Sequence, residues 1–437
     1  AEPMTAPSLP VRHLDLSAMR ADTHPGDAPA FSIFWWKELP LGMRASLPEE
    51  LPFSEAQLRQ LTAEYGAAQL AARRPALGAP LRATHEGRPK QALALSHLLA
   101  EHNLVEELDM LATAPTPPTT QISAVICTRD RGEALAGCLR SMTMQRSAPG
   151  EIVVVDNSSD GNARPVCERF PEVRHVHEPR PGLSIARNTG IRASRGEIIA
   201  FTDDDVELHP GWTVEIGRAF ADQSIDALTG LVLPARLDTP AQRIFQLDKG
   251  GFGSTFIPLR FDNRFFAETR PHGAHVWKMG AGANMAFRRS LFERVGLFDE
   301  RLGAGAAGCS EDSELWYRML ADGGVCLYEP RAVVFHHHRR DLVGLRAQIR
   351  SYMKGHVAAL IVQHDAFHDR GNLVRIFGQL PLYFLKSFLK GLLEGRRGQP
   401  GTLAPEIAGY AAGLQFLFRP GWRREHAPRL VANGVDA

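Results

Sequence analysis

Residues 196–206 read GEIIAFTDDDV. The apolar run at 198–201, continued by Thr202, has the composition of a buried strand, and Asp203, Asp204 and Asp205 fall where that strand runs out. Adjacent carboxylates repel one another and resist burial, so the triplet implies a cation, a donor-rich ligand or plain solvent beyond the strand end. A charge run standing alone is most often a solvated turn. Its neighbours argue for a ligand.

Working outward, ISAVICT at 122–128 and EIVVVD at 151–156 are further short apolar runs, the stretch 174–177 suggests a third strand, and 132–144 between the first two is amphipathic. Strands alternating with helices predict an α/β fold with a mostly parallel sheet covered on both faces. Such sheets take ligands at the C-terminal ends of their strands. Three runs here end in polar groups: Thr128-Arg129-Asp130, Asp156-Asn157-Ser158-Ser159 and the Asp triplet. One acidic strand end is commonplace because Asp caps helices, whereas several together predict a shared polar cleft. In PGLSIARNTGI at 181–191, Gly182 permits a tight turn, Ser184 is placed to cap a helix, and Arg187 and Asn188 project from its first turns. Beside a carboxylate cleft, Arg187 suits a phosphate or an Asp side chain.

Length and composition bound the rest. A chain of 437 residues has room for two to three domains, and a net charge of +1 leaves no basic footprint for nucleic acid. The five cysteines are odd in number and form no C-x-x-C pair, which argues against a disulfide framework or structural zinc and fits a reducing cytoplasm. No apolar run approaches the ~20 residues needed to span a bilayer, and the start lacks a signal pattern. Residues 1–111 read as a largely helical module: Ser54 can cap a helix through Leu58, Leu61 and Tyr65, and leucines recur at helical spacing over 93–111. FSIFWW at 31–36 is the stretch there that suits a strand. Residues 112–120 form a Pro-rich linker, 121–340 the main domain and 341–437 a helical C-terminal region.

The ordered set CTRDR at Cys127, VVVDNSS at Val153, GLSIARNTGI at Gly182, FTDDD at Phe201, GAGANMAFRRSLFERVGLFDE at Gly280 and EDSEL at Glu311 resembles the family 2 glycosyltransferases of GT-A fold. The resemblance covers roughly residues 122–338. It implies a metal-dependent inverting transfer from a nucleoside-diphosphate sugar to a glycan or lipid-linked acceptor. Thr128 and Asp156 would hold the nucleobase with Arg129 nearby, and an Asp can accept from a pyrimidine N–H. Asp205 would ligate a divalent metal and Asp203 approach the ribose or the metal shell, with Asp204 counted among the nucleotide-sugar contacts. Carboxylate and diphosphate oxygens suit Mn2+ or Mg2+ without choosing between them. In the small-residue stretch 279–285, Asn284 would offer an amide to the donor sugar. Asp312 would be the catalytic base and Glu311 its positioner. Of the triplet after the strand at 326–335, His336 and His338 share one face, and either would complete the metal site.

Beyond that stretch, IFGQLPLYFLKSFLKGLL at 376–393 is apolar and aromatic, with Lys386 and Lys390 four apart and Arg396 and Arg397 following. Pro381 and the lysines argue against a span. Two readings stand: a helix lying on an anionic membrane from its cytoplasmic side, or one packed on another domain. Against the transferase reading stand a nucleotidyltransferase and a catalytically silent sugar-nucleotide-binding scaffold.

Overall fold

The computed structural model of the chain describes residues 8–18, 22, 26–73, 104–253, 255–393, 401–419 and 422. A small sheet comes first, in the order β1 (Val11–Asp15), β2 (Ala30–Trp36), β3 (Leu39–Ser46). The large sheet uses β4 (Ile122–Thr128), β5 (Glu151–Asp156), β6 (Val173–His177), β7 (Ile198–Asp203), β8 (Val206–Leu208), β9 (Ala227–Pro234), β10 (Leu259–Phe261), β11 (Asn284–Arg288) and β12 (Cys326–His336). Its order is β10-β12-β9-β11-β7-β4-β5-β6, with β8 paired to β12. Strands β7, β4, β5 and β6 are mutually parallel, as are β9 and β12, while β11 runs antiparallel between the two groups.

Alternation along the central strands explains why both faces are covered. Val125, Val153 and Val155 enter one core with Phe201 and Trp316, while Ala124, Ile126, Ile152 and Val154 enter another with Trp212 and Phe220. This is the mostly parallel α/β sheet expected from the apolar runs. The register sets Cys127 opposite Asp203 and Thr128 opposite Asp156, so three polar strand ends share one edge. After Asp203 the chain turns through Asp204 and Asp205 into β8, which pairs antiparallel with the end of β12, placing Val206 opposite His336. The backbone N–H of His337 donates to the Asp205 carbonyl at 2.9 Å.

The N-terminal part differs from the largely helical module expected of it. Its helices Glu55–Arg73 and Leu104–Ala112 are joined by the small sheet, and the leucines at 93–103 lie outside the described residues. Ser54 does cap its helix, accepting from the Gln57 N–H at 3.3 Å. Strand β2 is buried throughout, and its two faces serve different partners. Phe31, Ile33 and Trp35 pack with Leu231, Leu233 and Val333 of the large sheet, whereas Phe34 and Trp36 pack with Leu58, Leu61 and Leu108. Alternation was masked because both faces are apolar. The Pro-rich stretch runs along the helix Trp212–Phe220, whose Arg218 donates to the carbonyls of Ala114 and Pro115.

The C-terminal region is helical, as its pattern predicts. The helix Leu342–Phe367 packs against Leu403–Leu414, where Gly409 allows close approach: a Cβ there would lie 2.3 Å from the Arg350 carbonyl oxygen. In the helix Leu380–Leu393, Leu380 and Phe384 are buried, and with Ile376 just before it they join this core. Its other side is not: Leu385, Phe388 and Leu392 are half exposed or more.

Candidate active site

A cavity of about 1000 Å³ opens at the shared strand edge. Thr128, Arg129, Arg131, Arg187, Asp203, Asp204, Asp205, Glu311, Asp312 and His336 all line it. The end of β4 and the loop after it supply Thr128, Arg129 and Arg131, the end of β7 and the turn after it the Asp triplet, and the start of helix Glu311–Ala321 the Glu-Asp pair. Ser310, just before that helix, has φ 69°, a left-handed bend that brings the acidic pair onto the cavity wall.

Arg187 joins these elements. Enclosed on the helix Leu183–Ala193, it donates to Glu311 and to the Gly282 carbonyl at 3.3 Å, and its Nη2 lies 3.5 Å from Asp203 Oδ1. Gly282 must be small, because a Cβ would sit 2.9 Å from Arg187 Nη2 and 3.1 Å from Asp312 Oδ2. Burial pushes the Glu311 carboxyl up to about 7 while Arg187 pulls the other way. Asp312 is half-buried, and its Oδ1 accepts the Ser313 N–H at 2.6 Å. Ser184 does not cap this helix; its hydroxyl donates to the Leu302 carbonyl at 2.7 Å.

The triplet is not uniform. Asp204 accepts from Thr128 Oγ1 at 2.7 Å and from Arg131 at 3.0 Å, and burial, with Asp205 adding to it, raises its carboxyl to about 6. For Asp205, burial is outweighed by nearby cationic groups, Arg131 and Arg339 among them, which hold it below its ordinary value. Its Oδ2 faces Arg131 at 3.0 Å and its Oδ1 faces His336 Nε2 at 3.4 Å. Asp203, Asp205 and His336 each offer a ligand atom, all within 4.8 Å of one another. Two carboxylate oxygens and one imidazole nitrogen fit a divalent cation of intermediate hardness.

Both histidine candidates are accounted for, in different roles. His336 Nδ1 meets His338 Nδ1 at 2.9 Å, and His338 Nε2 meets Gln246 Oε1 at 3.1 Å. The Gln246 oxygen makes His338 Nε2 the N–H; His338 Nδ1 then accepts from His336 Nδ1, leaving the lone pair of His336 on Nε2, toward Asp205. Burial, the largest influence on each, holds both rings below their ordinary pKa and so favours their neutral forms. His338 is therefore corrected from candidate ligand to the residue that sets the tautomer of His336.

Two further expectations are corrected. Asn284 is fully buried, accepting from Trp212 Nε1 at 2.9 Å and donating to the carbonyls of Leu231 at 3.0 Å and Ala332 at 2.8 Å. With its amide spent tying β11 to its neighbours, it offers nothing to a sugar. Asp156 is also buried and does not line the cavity: its oxygens accept from the N–H groups of Ser158 at 3.1 Å and Ala163 at 2.8 Å, from the Ser158 hydroxyl at 2.6 Å and His175 at 3.2 Å. It holds its own loop, and Asn157 beside it faces the cavity.

Sequence reading missed Arg131, which bridges Asp204 and Asp205, and the far wall, where Trp277, Gln348, Tyr352, His356, Arg375 and Tyr383 contribute. The spacing of four in Gln348, Tyr352 and His356 was a usable signal of one helix face. Trp277 and Arg375 carried none.

An α/β sheet with a metal-competent carboxylate edge and a facing Glu-Asp pair defines a class of sites built for phosphate-bearing ligands. Residues 123–296 match the family described as Glycosyl transferase family 2. The Pre-mycofactocin glycosyltransferase of Mycobacterium tuberculosis is 29% identical over 300 residues, 65% of this chain and 57% of that protein. The Succinoglycan biosynthesis protein ExoM of Rhizobium meliloti is 30% identical over 229 residues, 49% of this chain and 66% of its own length. The chain thus spans a little over half of the mycobacterial relative. Among solved structures, the mannosyltransferase PcManGT from Pyrobaculum calidifontis, in complex with GDP-Man and Mn2+, is 18% identical with a TM-score of 0.45, covering 74% of this chain and 97% of that one.

Proposed function

We propose that the chain is a metal-dependent, inverting glycosyltransferase that moves a sugar from a nucleoside-diphosphate donor to a glycan or lipid-linked acceptor hydroxyl. The observation that carries this reading is the convergence of the Asp203, Asp205 and His336 ligand atoms with Asp312 on one cavity. Those three side chains would hold a divalent cation, Mn2+ or Mg2+. Bound there, it would neutralise charge on the departing diphosphate.

The remaining steps fall to the chain's own residues. Thr128, Arg129 and Arg131 line the donor end, where Arg129 is half exposed and faces solvent and ligand alike. Asp312 accepts the proton of the acceptor hydroxyl as that oxygen bonds to the anomeric carbon. The bond from that carbon to the diphosphate oxygen breaks, its electron pair leaving on the diphosphate, and attack from the opposite side inverts the centre. Glu311 and Arg187 fix the start of the Asp312 helix against Asp203, so the base and the leaving-group side are held by one buried link. A nucleotidyltransferase would leave the Glu-Asp pair without a part in its chemistry.

The helix Leu380–Leu393 supports peripheral attachment to an anionic membrane. With Ile376, Leu380 and Phe384 packed inward, Val374, Phe377, Leu385, Phe388 and Leu392 form an exposed apolar stripe, bordered by Lys386 and Lys390. Among the described residues no helix is long and apolar enough to cross a membrane.

Thermal unfolding with a panel of sugar nucleotides tests the donor reading, since a ligand that binds the native state raises its melting temperature. A selective rise that requires Mn2+ or Mg2+ and disappears with EDTA is expected. No response to any sugar nucleotide contradicts it.

A further inference from the structure

The cavity has a second polar end that the transfer steps leave unused. Arg375 opens the π-helical turn Arg375–Gln379, and its guanidinium lies 4.3 Å from the centre of the Trp277 ring. Its Nη1 donates to Gln379 Oε1 at 3.0 Å, and its Nε points to His356 Nε2 at 3.5 Å. All these partners are neutral: burial, followed by the Arg375 charge, pushes His356 down to about 3. Burial likewise pulls the guanidinium down to about 10, and among the described residues no carboxylate pulls it back. Withdrawing a guanidinium from water against neutral partners alone is costly, and a stacked aromatic offsets only part of the cost.

The setting suggests what completes it. Arg375, His356 and Trp277 line the same cavity as Asp312, and so do Leu380 and Tyr383 from the base of the apolar helix. The donor-end residues come from the end of β4 and the loop after it, whereas Arg375 and His356 come from the C-terminal helices, beyond the residues 123–296 that match the family. We propose that Arg375, backed by Trp277 and His356, forms a subsite for an anionic group, a phosphate or carboxylate, carried by the acceptor. The oxyanion takes the remaining guanidinium N–H groups, which a planar fork presents in pairs. Assigning the anion to the acceptor rests on the transfer reading above.

The test is calorimetric titration of the full chain in EDTA, which removes binding through a metal, using phenyl phosphate, inorganic phosphate and neutral benzyl alcohol. Saturable binding of phenyl phosphate but not benzyl alcohol is expected. Arg375→Gln should weaken it about tenfold, the scale of one charge-assisted pair, and Arg375→Lys less. Arg131→Gln should leave it within about twofold. Inorganic phosphate binding with the same Arg375 dependence also supports the subsite and shows that the ion alone suffices. Absence of saturable binding overturns the proposal, as does equal affinity in Arg375→Gln, or loss in Arg131→Gln instead. Should Arg375→Gln fail to fold, the Lys variant decides: affinity equal to wild type for phenyl phosphate and unequal for no anion overturns the fork assignment. Wild-type protein that binds phenyl phosphate in this way but no sugar nucleotide with metal keeps the subsite and removes the transfer reading; the reverse pattern removes the subsite alone.

Discussion

His336 ends β12 and His338 lies two residues beyond it, and the two rings perform separate tasks, one facing Asp205 and the other fixing which nitrogen is free to do so. Replacing Gln246 by Ala removes the oxygen that orients the relay without touching the cavity. Mn2+ affinity, measured by titration, should fall about tenfold to a hundredfold, while the unfolding temperature without metal changes little. Unchanged affinity would show that the tautomer is set elsewhere. The same scale explains the misplacement of Asn284 and Asp156. An Asn among small residues and an Asp at a strand end both read as ligand contacts, and only nonlocal partners reveal otherwise: Trp212, Leu231 and Ala332 for one, Ala163 and His175 for the other. Strand alternation did place His336 and His338 together, but it carries no information on which ring has a further partner behind it.

Among elements, the central strands were legible because each buried run ends in a polar group, and parallel pairing then forces those ends onto one edge. Strand β3 was not, since LPLGMRAS has neither clean alternation nor a run of β-branched residues. The helix Leu380–Leu393 posed a different problem. Its sequence is apolar nearly all round, and only the fold separates the packed stripe of Leu380 and Phe384 from the exposed one. The prediction at this scale is that the full chain co-floats with vesicles containing phosphatidylglycerol and less with neutral ones. Lys386→Glu with Lys390→Glu should weaken flotation by about tenfold or more, at roughly 1 kcal/mol per basic residue near the surface. Leu385→Asp with Phe388→Asp should abolish it. Flotation that survives both pairs of changes would rule this helix out as the contact.

For the whole molecule, the N-terminal part is bound into the main sheet rather than hung from it. Beyond the apolar contact of Phe31, Ile33 and Trp35, Arg73 at the end of the helix Glu55–Arg73 grips buried Glu329 of β12 at 2.7 Å, and Arg331 flanks the same carboxylate at 3.2 Å. Glu329→Gln should cost about 3–5 kcal/mol in denaturant unfolding, the usual result of stranding a buried charge. Burial would raise the Glu329 carboxyl, but Arg331 and Arg73 hold it well below its ordinary value. Its contribution is therefore complete above the unfolded carboxylate range near pH ~4.3 and is lost as pH falls below that, so wild type and the Gln variant should converge in stability in acid. A constant gap down to low pH would contradict the assignment. The central claim is that Asp312 and the carboxylate edge, which line one cavity, serve one reaction. It is tested most directly by comparing wild type with Asp312→Asn for sugar-nucleotide binding and for sugar transfer. The expected result is retained binding with transfer reduced about 10²–10⁴-fold; transfer at the wild-type rate would contradict the account.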